Sequence, residues 1–347
     1  MPAPQQPRSG DRSAWVARTA TELVWRGLLG GDEPPVFEPL TGGVSSDIWI
    51  IRQGDHRVVV KRALAKLNVA QDWWAPVERN AADAEWLRLA GEIVPGAAPR
   101  VLYRDDQAGL FVMSYIDPAE APVWKVRLLA GDVDPAFAAS VGRTIGRIHA
   151  ATAGQTAIAT AFANAAAFRA LRLSPYLEAT AEKHPALAPR LLAIARSTAR
   201  HQVCLIHGDV SPKNILVGAN GPILLDAECA TYGDPAFDLA FCLNHLLLKG
   251  LVIGQAGPLA AAFEALTSGY LEAASSPMAR GVMRRTAALL PALLLARVDG
   301  KSPVEYIATD AQRTIVRGVA AYFLRARNYG LSDVCTHWTR VLSGTTQ

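Results

Sequence analysis

The sequence predicts an α+β protein of two lobes: a small antiparallel sheet with one helix, then a larger and mostly helical lobe. Three observations carry this reading. Short apolar, β-rich runs crowd residues 36–113, with one helical stretch at about 77–90 among them. From about residue 134 the apolar spacing turns helical, and only short pieces at 203–206, 215–217 and 222–225 read as strands. Those late pieces bracket a dense polar motif, His207-Gly-Asp209-Val-Ser-Pro-Lys-Asn214, followed by Ile223-Leu-Leu-Asp226 and Gly233-Asp-Pro-Ala-Phe-Asp238.

In chain order, residues 1–10 read as disordered, and 13–29 as an amphipathic helix with Trp15, Val16, Leu23, Val24 and Leu28 near helical spacing. Strands are expected at 36–40, 47–51 and 57–61, then the helix, then strands at 100–103 and 109–113. Asp117-Pro118 is the natural boundary, because proline disfavours helix at the residue before it. The organisation is thus a tail and leading helix over 1–35, a small lobe over 36–117 and a large lobe over 118–347. No internal repeat is evident.

Bulk properties narrow the classes. At 347 residues, half of them apolar, two cores can be buried. A net charge of +4 without a concentrated Lys/Arg stripe argues against a nucleic-acid partner. Four scattered cysteines (Cys204, Cys229, Cys242, Cys335) have no C-x-x-C spacing, so neither a disulfide frame nor a zinc site is expected. The N-terminus lacks an apolar signal-peptide core. The longest apolar stretch is read around Leu289 to Ala296, too short to span a bilayer and containing Pro291. The expectation is a cytoplasmic protein with no membrane partner; the oligomeric state is left open.

The polar motif has the residue types of a phosphoryl-transfer site. A nucleophilic hydroxyl needs one carboxylate to orient it and take its proton, and Asp209 suits that role. Magnesium on nucleotide phosphates takes oxygen ligands, for which Asn214 and Asp226 are the candidates. The pattern H-x-D-x-x-x-x-N with Asp twelve residues on resembles the aminoglycoside phosphotransferase and choline-kinase-like family, small-molecule relatives of protein kinases.

The resemblance implies a bilobal protein-kinase-like fold over about residues 36–306, with ATP and Mg2+ as cofactors and a small-molecule hydroxyl as acceptor. The small lobe would bind nucleotide and the large lobe would carry catalysis and acceptor. It assigns Leu40-Thr-Gly-Gly-Val-Ser-Ser-Asp47 to the loop over the phosphates, with Gly43, Ser45 and Ser46 as contacts; glycines there let the backbone approach closely. Lys61, closing the apolar run Val58-Val-Val60, resembles the lysine that holds the α/β-phosphates and pairs with a helix carboxylate. Glu85 is favoured as that partner on side-chain reach, with Asp83 and Glu78 as alternatives. The run Leu110 to Ile116 resembles the hinge, with Met113 lining the adenine slot and the Ser114 carbonyl and Ile116 amide facing the base.

Other residues read differently. His207 is expected to brace the backbone, and Asp238 to hold the catalytic loop through its N–H groups. Gly208 stands where protein kinases usually carry Arg, and there is no room for a long activation segment before Asp238, so a small-molecule acceptor is expected. Trp73-Trp74 reads as packing. Glu228 supports the metal or faces solvent. Arg297, Asp299 and Lys301 reach the acceptor or cap helices.

Residues 245–347 carry Lys249, Lys301 and nine arginines against six acids, a poor electrostatic host for a polycation. The acceptor is therefore expected to be a neutral or anionic metabolite or sugar. The rivals are an aminoglycoside-modifying kinase and a nucleotide-binding pseudokinase; intact Lys61, Asp209, Asn214 and Asp226 argue against the latter.

Overall fold

The computed structural model describes residues 9–40, 46–64, 79–274 and 276–344. The chain forms two compact units: Met1–Ala84 with Pro99–Ile116, and Glu85–Ala98 with Asp117–Gln347.

The first unit is built on a five-stranded antiparallel sheet in the order β1 (Val36–Pro39), β2 (Ser46–Gln53), β3 (His56–Ala63), β5 (Leu110–Ser114), β4 (Val101–Asp105). Side chains alternate across a strand, and both faces are put to use. Val58 and Val60 of β3, with Leu110 and Val112 of β5, bury one face against Trp15, Val16, Ala20 and Leu23 of helix α1 (Ser9–Trp25). Val59, Lys61 and Phe111 take the other face and are equally buried. The same unit takes in the first turns of helix α2 (Arg79–Ile93), tied to the sheet where the Asn80 amide donates to the Gly109 carbonyl at 2.9 Å.

The second unit is mainly helical. Helices α3 (Trp124–Leu129), α4 (Pro135–Thr152), α5 (Thr156–Ala161) and α6 (Ala165–Phe168) lead into a π-helical stretch (Arg169–Glu178) that contains Pro175. Then come α7 (Ala179–Lys183), α8 (Ala188–Arg200), strand β6 (Cys204–Ile206), the hairpin β7 (Ile215–Gly218) and β8 (Gly221–Leu224), and β9 (Thr231–Gly233), which pairs with β6. The long helices α9 (Pro235–Ile253), α10 (Ala256–Ala273), α11 (Ser276–Asp299), α12 (Asp310–Arg325) and α13 (Leu331–Leu342) complete it. Helices α4 and α10 cross at glycines: a Cβ on Gly142 would lie 2.0 Å from the Leu266 carbonyl oxygen, and one on Gly269 2.1 Å from that of Ala139.

Helix α9 has the start and stop signals its sequence carries. Asp234 caps it by accepting from the Ala236 N–H at 3.0 Å, Pro235 stands at the first position, and Gly254 ends it in the left-handed conformation. It is long and apolar enough to cross a membrane, a longer run than the 289–296 stretch singled out above, but 83% of it is buried inside the protein.

The α+β class is the one expected. Strand β9 and helix α3 go beyond that reading: β9 lacks an apolar run and exists through its pairing with β6, and α3 is too short for its apolar spacing to show a helical period. The sequence reads a helix opened by Asp238; in the structure the helix begins three residues earlier and Asp238 sits in the first turn of α9, behind the Asp234 cap.

Candidate active site

In the second unit, β6 delivers His207, Gly208 and Asp209 into a loop that closes through a 3-10 turn, Pro212–Asn214. Two carboxylate oxygens of Asp238 shape this loop: Oδ2 accepts from the His207 N–H at 2.7 Å and Oδ1 from the Gly208 N–H at 2.8 Å. Asp238 is itself steadied by His149, whose Nε2 lies 3.2 Å away and whose Nδ1 meets the Tyr270 hydroxyl at 3.1 Å. His207 works through backbone at both ring nitrogens. Its Nδ1 accepts from the Asp209 N–H at 3.1 Å, which fixes the tautomer so that Nε2–H donates to the Leu225 carbonyl at 3.1 Å. The Trp86 ring stands edge-on to it, centroids 4.6 Å apart.

Gly208 has φ +78, and a Cβ there would lie 2.6 Å from the Cys229 carbonyl oxygen. No side chain fits, so the arginine of protein kinases is excluded by backbone geometry as well as by sequence.

Asp209 is buried beside two cations. Arg172 Nη2 is 2.9 Å from its Oδ2 and Lys213 Nζ is 3.3 Å away. Burial works against the charged form, but Lys213 and Arg172 outweigh it and hold the carboxyl below the ordinary carboxylate range. Arg172 also donates through Nε to the Gly208 carbonyl at 2.7 Å, so one guanidinium fixes both the loop backbone and its carboxylate. Sequence reading missed Arg172. It lies in the π-helical stretch three residues after Arg169, which instead pairs with Glu178 at 2.9 Å near the surface, and no local pattern separates the two arginines.

Asn214 gives its amide nitrogen to the Asp209 carbonyl at 3.1 Å, and its own carbonyl accepts from the Leu225 N–H at 2.8 Å. Its side-chain oxygen accepts no hydrogen bond among the described residues. Asp226, just past β8, holds φ +65, a left-handed conformation that a non-glycine residue rarely adopts and that clusters at functional sites. Asn214 thus joins the Asp209 loop, through its amide, to the end of β8 next to Asp226, through the Leu225 N–H.

In the first unit, Lys61 and Asp83 form a fully buried ion pair, Nζ to Oδ2 2.5 Å. This corrects the preference for Glu85, whose carboxylate meets Arg88 at 2.6 Å and remains a third exposed. Two residues along a helix turn the side chain through about 200°, so Asp83 and Glu85 stand on opposite faces of α2. The reach argument failed because the lysine supplies the length. Ser46 opens β2, buried, with its hydroxyl unpartnered among the described residues. Gly43, Ser45, Glu78 and the Trp73-Trp74 pair lie outside the described residues. Met113 and Ser114 end β5, half-buried; Ser114 accepts at its hydroxyl from the Arg100 N–H at 3.0 Å, and Ile116 closes the unit.

The downstream trio sorts into separate roles. Asp299 binds His184 at 2.8 Å and Arg317 through two bonds of 2.9 and 2.7 Å, a link between helices. Lys301 is exposed. Arg297 turns inward and donates to the Tyr176 hydroxyl at 2.9 Å.

The model of the phosphotransferase enzyme family matches residues 36–275. Methylthioribose kinases from Pectobacterium atrosepticum and Geobacillus kaustophilus are 26% and 24% identical to this chain over 222 and 221 residues, 56% of this chain and 55% of each relative. The chain spans about half the length of the curated relatives it matches. Among solved structures, Plasmodium vivax ethanolamine kinase superposes with a TM-score of 0.55 at 9% identity, over 96% of this chain and 88% of that one. A choline/ethanolamine kinase family protein from Mesorhizobium loti does so with a TM-score of 0.50 at 17% identity, over 93% and 98%. Likeness at this level is likeness of fold.

Proposed function

The chain belongs to the phosphotransferase enzyme family, and from that premise we propose that it moves the γ-phosphate of ATP, with magnesium, to a hydroxyl of a small hydroxylated metabolite. The observation that carries this reading is Asp209: a buried carboxylate kept ionised by Arg172 and Lys213 at the tip of a loop held by Asp238. An ionised, fixed carboxylate can accept the hydrogen bond of an acceptor hydroxyl and aim its oxygen. A carboxyl held this low is a weak base, which suits a loose transition state in which the proton leaves late. Positioning then supplies most of the rate.

Magnesium fits the side chains available, an amide oxygen on Asn214 and a carboxylate on Asp226, both hard oxygen donors. When bound it would neutralise charge on the phosphates. Lys61, fixed by Asp83, is the cation for the α/β-phosphates, and Met113, Ser114 and Ile116 are the candidates for the adenine. The methylthioribose kinase relatives and the surplus of basic residues after 245 support a sugar-like, neutral or anionic acceptor over a polycation.

The test is ADP release with magnesium and ATP against sugars, sugar acids, amino alcohols and aminoglycosides. Turnover with one class is expected, and Asp209→Asn should lower kcat by about a thousandfold or more while ATP binding stays within a few-fold. Full activity in Asp209→Asn would remove the assigned role.

A further inference from the structure

Helix α9 carries a stripe that leads away from the catalytic loop: Asp238, Phe241, His245 and Lys249, at helical spacing on one face. Its far end enters a buried group of basic side chains. Lys249 is fully buried, and among the described residues its ammonium meets the Tyr306 hydroxyl at 3.4 Å and the face of the Tyr306 ring, 4.5 Å to the centroid. His245 Nδ1 meets the same hydroxyl at 2.6 Å, and its buried Nε2 has no partner among the described residues. Arg297, more than nine-tenths buried, donates to the Tyr176 hydroxyl and to Ser302, while its Nε also lacks a partner among the described residues. Neither Lys249 nor Arg297 forms an ion pair with a carboxylate among the described residues. Glu305, an acid that acts on Lys249 electrostatically, is bound to Lys125 on the surface.

Buried charge of this kind is ordinarily paired. Arginine keeps its proton under any such pressure, so Arg297 stays a cation. Burial, with Lys125 close by, pulls the Lys249 ammonium down to about 7, the response of a cation that lacks its anion. The group is also connected to the chemistry. Tyr176 and Phe241 lie under both Arg297 and Arg172, with guanidinium-to-centroid distances of 5.4 to 6.0 Å, and Arg172 holds Asp209. Tyr306, half-buried, is the member open to solvent.

We infer, on the basis of the phosphotransferase reading, that Arg297, Lys249 and Tyr306 receive an oxyanion of the acceptor, a carboxylate or phosphate, while the acceptor's hydroxyl lies at Asp209. The substrate class is then a small hydroxylated acid or sugar phosphate, and a neutral sugar lacks the group the site is built for. Aromatic rings between the two charged ends would carry the carbon chain.

The experiment is thermal unfolding of the full chain in sodium gluconate, sodium phosphate, sorbitol and sodium chloride, the salts matched for ionic strength. One oxyanion should raise Tm by about 4 °C or more at roughly twenty times a millimolar Kd. Which of the two does so tells carboxylate from phosphate. Lys249→Met, one atom shorter and uncharged, should lose the shift. Tyr306→Phe, which keeps the ring and removes one hydroxyl, should keep part of it and guards against a Lys249 variant that folds poorly. No shift beyond chloride in the wild type, or an undiminished shift in both variants, overturns the inference. The kinase reading is separable: an oxyanion shift without ADP release from any acceptor leaves the anion site and removes the kinase. ADP release from neutral acceptors, unaltered by Lys249→Met, does the reverse.

Discussion

Two groups of buried charge in the second unit are built on opposite plans. Around the loop that carries Asp209 two carboxylates are met within the chain: Asp209 by Arg172 and Lys213, and Asp238 by two backbone N–H groups and His149. Around Tyr306 the buried cations Lys249 and Arg297 have hydroxyls, a carbonyl and rings but no carboxylate among the described residues. A matched charge is fixed in place and serves as a positioned tool. An unmatched one keeps its interaction in reserve for something that arrives. The same helix, α9, supplies residues to both, so the contrast lies in the neighbours each turn meets.

Breaking a match should have the largest effect. Arg172→Met removes the guanidinium that contacts Asp209 and the Gly208 carbonyl, leaving a buried carboxylate with Lys213 alone. Loss of about 3–5 kcal/mol of stability is expected, a drop in Tm of roughly 10 °C, together with a large fall in kcat. Thermal unfolding and ADP-release kinetics check it together. A variant as stable as the wild type would show that Lys213 suffices and that the match is not what holds the loop.

Much of the matched region could be read from sequence, and the unmatched region could not. Asp209, Asn214, Asp226 and Asp238 lie within thirty residues, and their spacing around two short strands is a local pattern. His207 could be assigned to bracing because a loop-edge imidazole has backbone groups near it. Arg172 was invisible, since it reaches Asp209 only through a π-helical register that no composition signals. The basic group draws on α9, α11 and the segment after it, so Lys249, Arg297 and Tyr306 meet only once the helices pack. Two partial signs were available: the stripe from Asp238 to Lys249, hidden in a run apolar all round, and Arg297, for which the sequence left acceptor contact and helix capping open. The main elements of the sheet were legible because each strand is a compact apolar run; which carboxylate pairs with Lys61 was not, because helix phase rather than reach decides it.

Relieving a mismatch should act in the opposite direction and more modestly. In buffer free of oxyanions, Lys249→Met removes a buried ammonium without a carboxylate and keeps the stem. The expected change is a gain of about 1–4 kcal/mol near neutral pH. The sign of its pH dependence follows from the lowered folded value. A lysine whose folded pKa lies below its unfolded one, ordinarily about 10.4, destabilises the folded chain fully below the folded value of about 7, and progressively less as pH rises towards the unfolded one. The gain should therefore shrink from pH 7 to pH 10. The groups that set this environment are Lys125, Arg297 and Glu305, with Cys242 beside it on α9. Unfolding curves of both chains across that range decide the matter, and a loss at pH 7 would mean that Lys249 has its anion within the protein.

The smallest effect is expected where sequence reading placed a large one. Side-chain reach favours Glu85 as the partner of Lys61, yet it pairs with Arg88 on a solvated face, the two side chains 32% and 47% exposed. Such a pair contributes about 0.2–1 kcal/mol at most, screened further by salt. Glu85→Gln should leave Tm within about 2 °C and KM for ATP within twofold. Asp83→Asn is its counterpart, since Asp83 and Lys61 are each about 98% buried; leaving that ammonium with an amide belongs with Arg172→Met at the upper end of the scale. Measured side by side, the two α2 variants turn a question of helix phase into a difference of several degrees in Tm. If Glu85→Gln proved the more damaging, the buried match in the first unit would have to be reassigned.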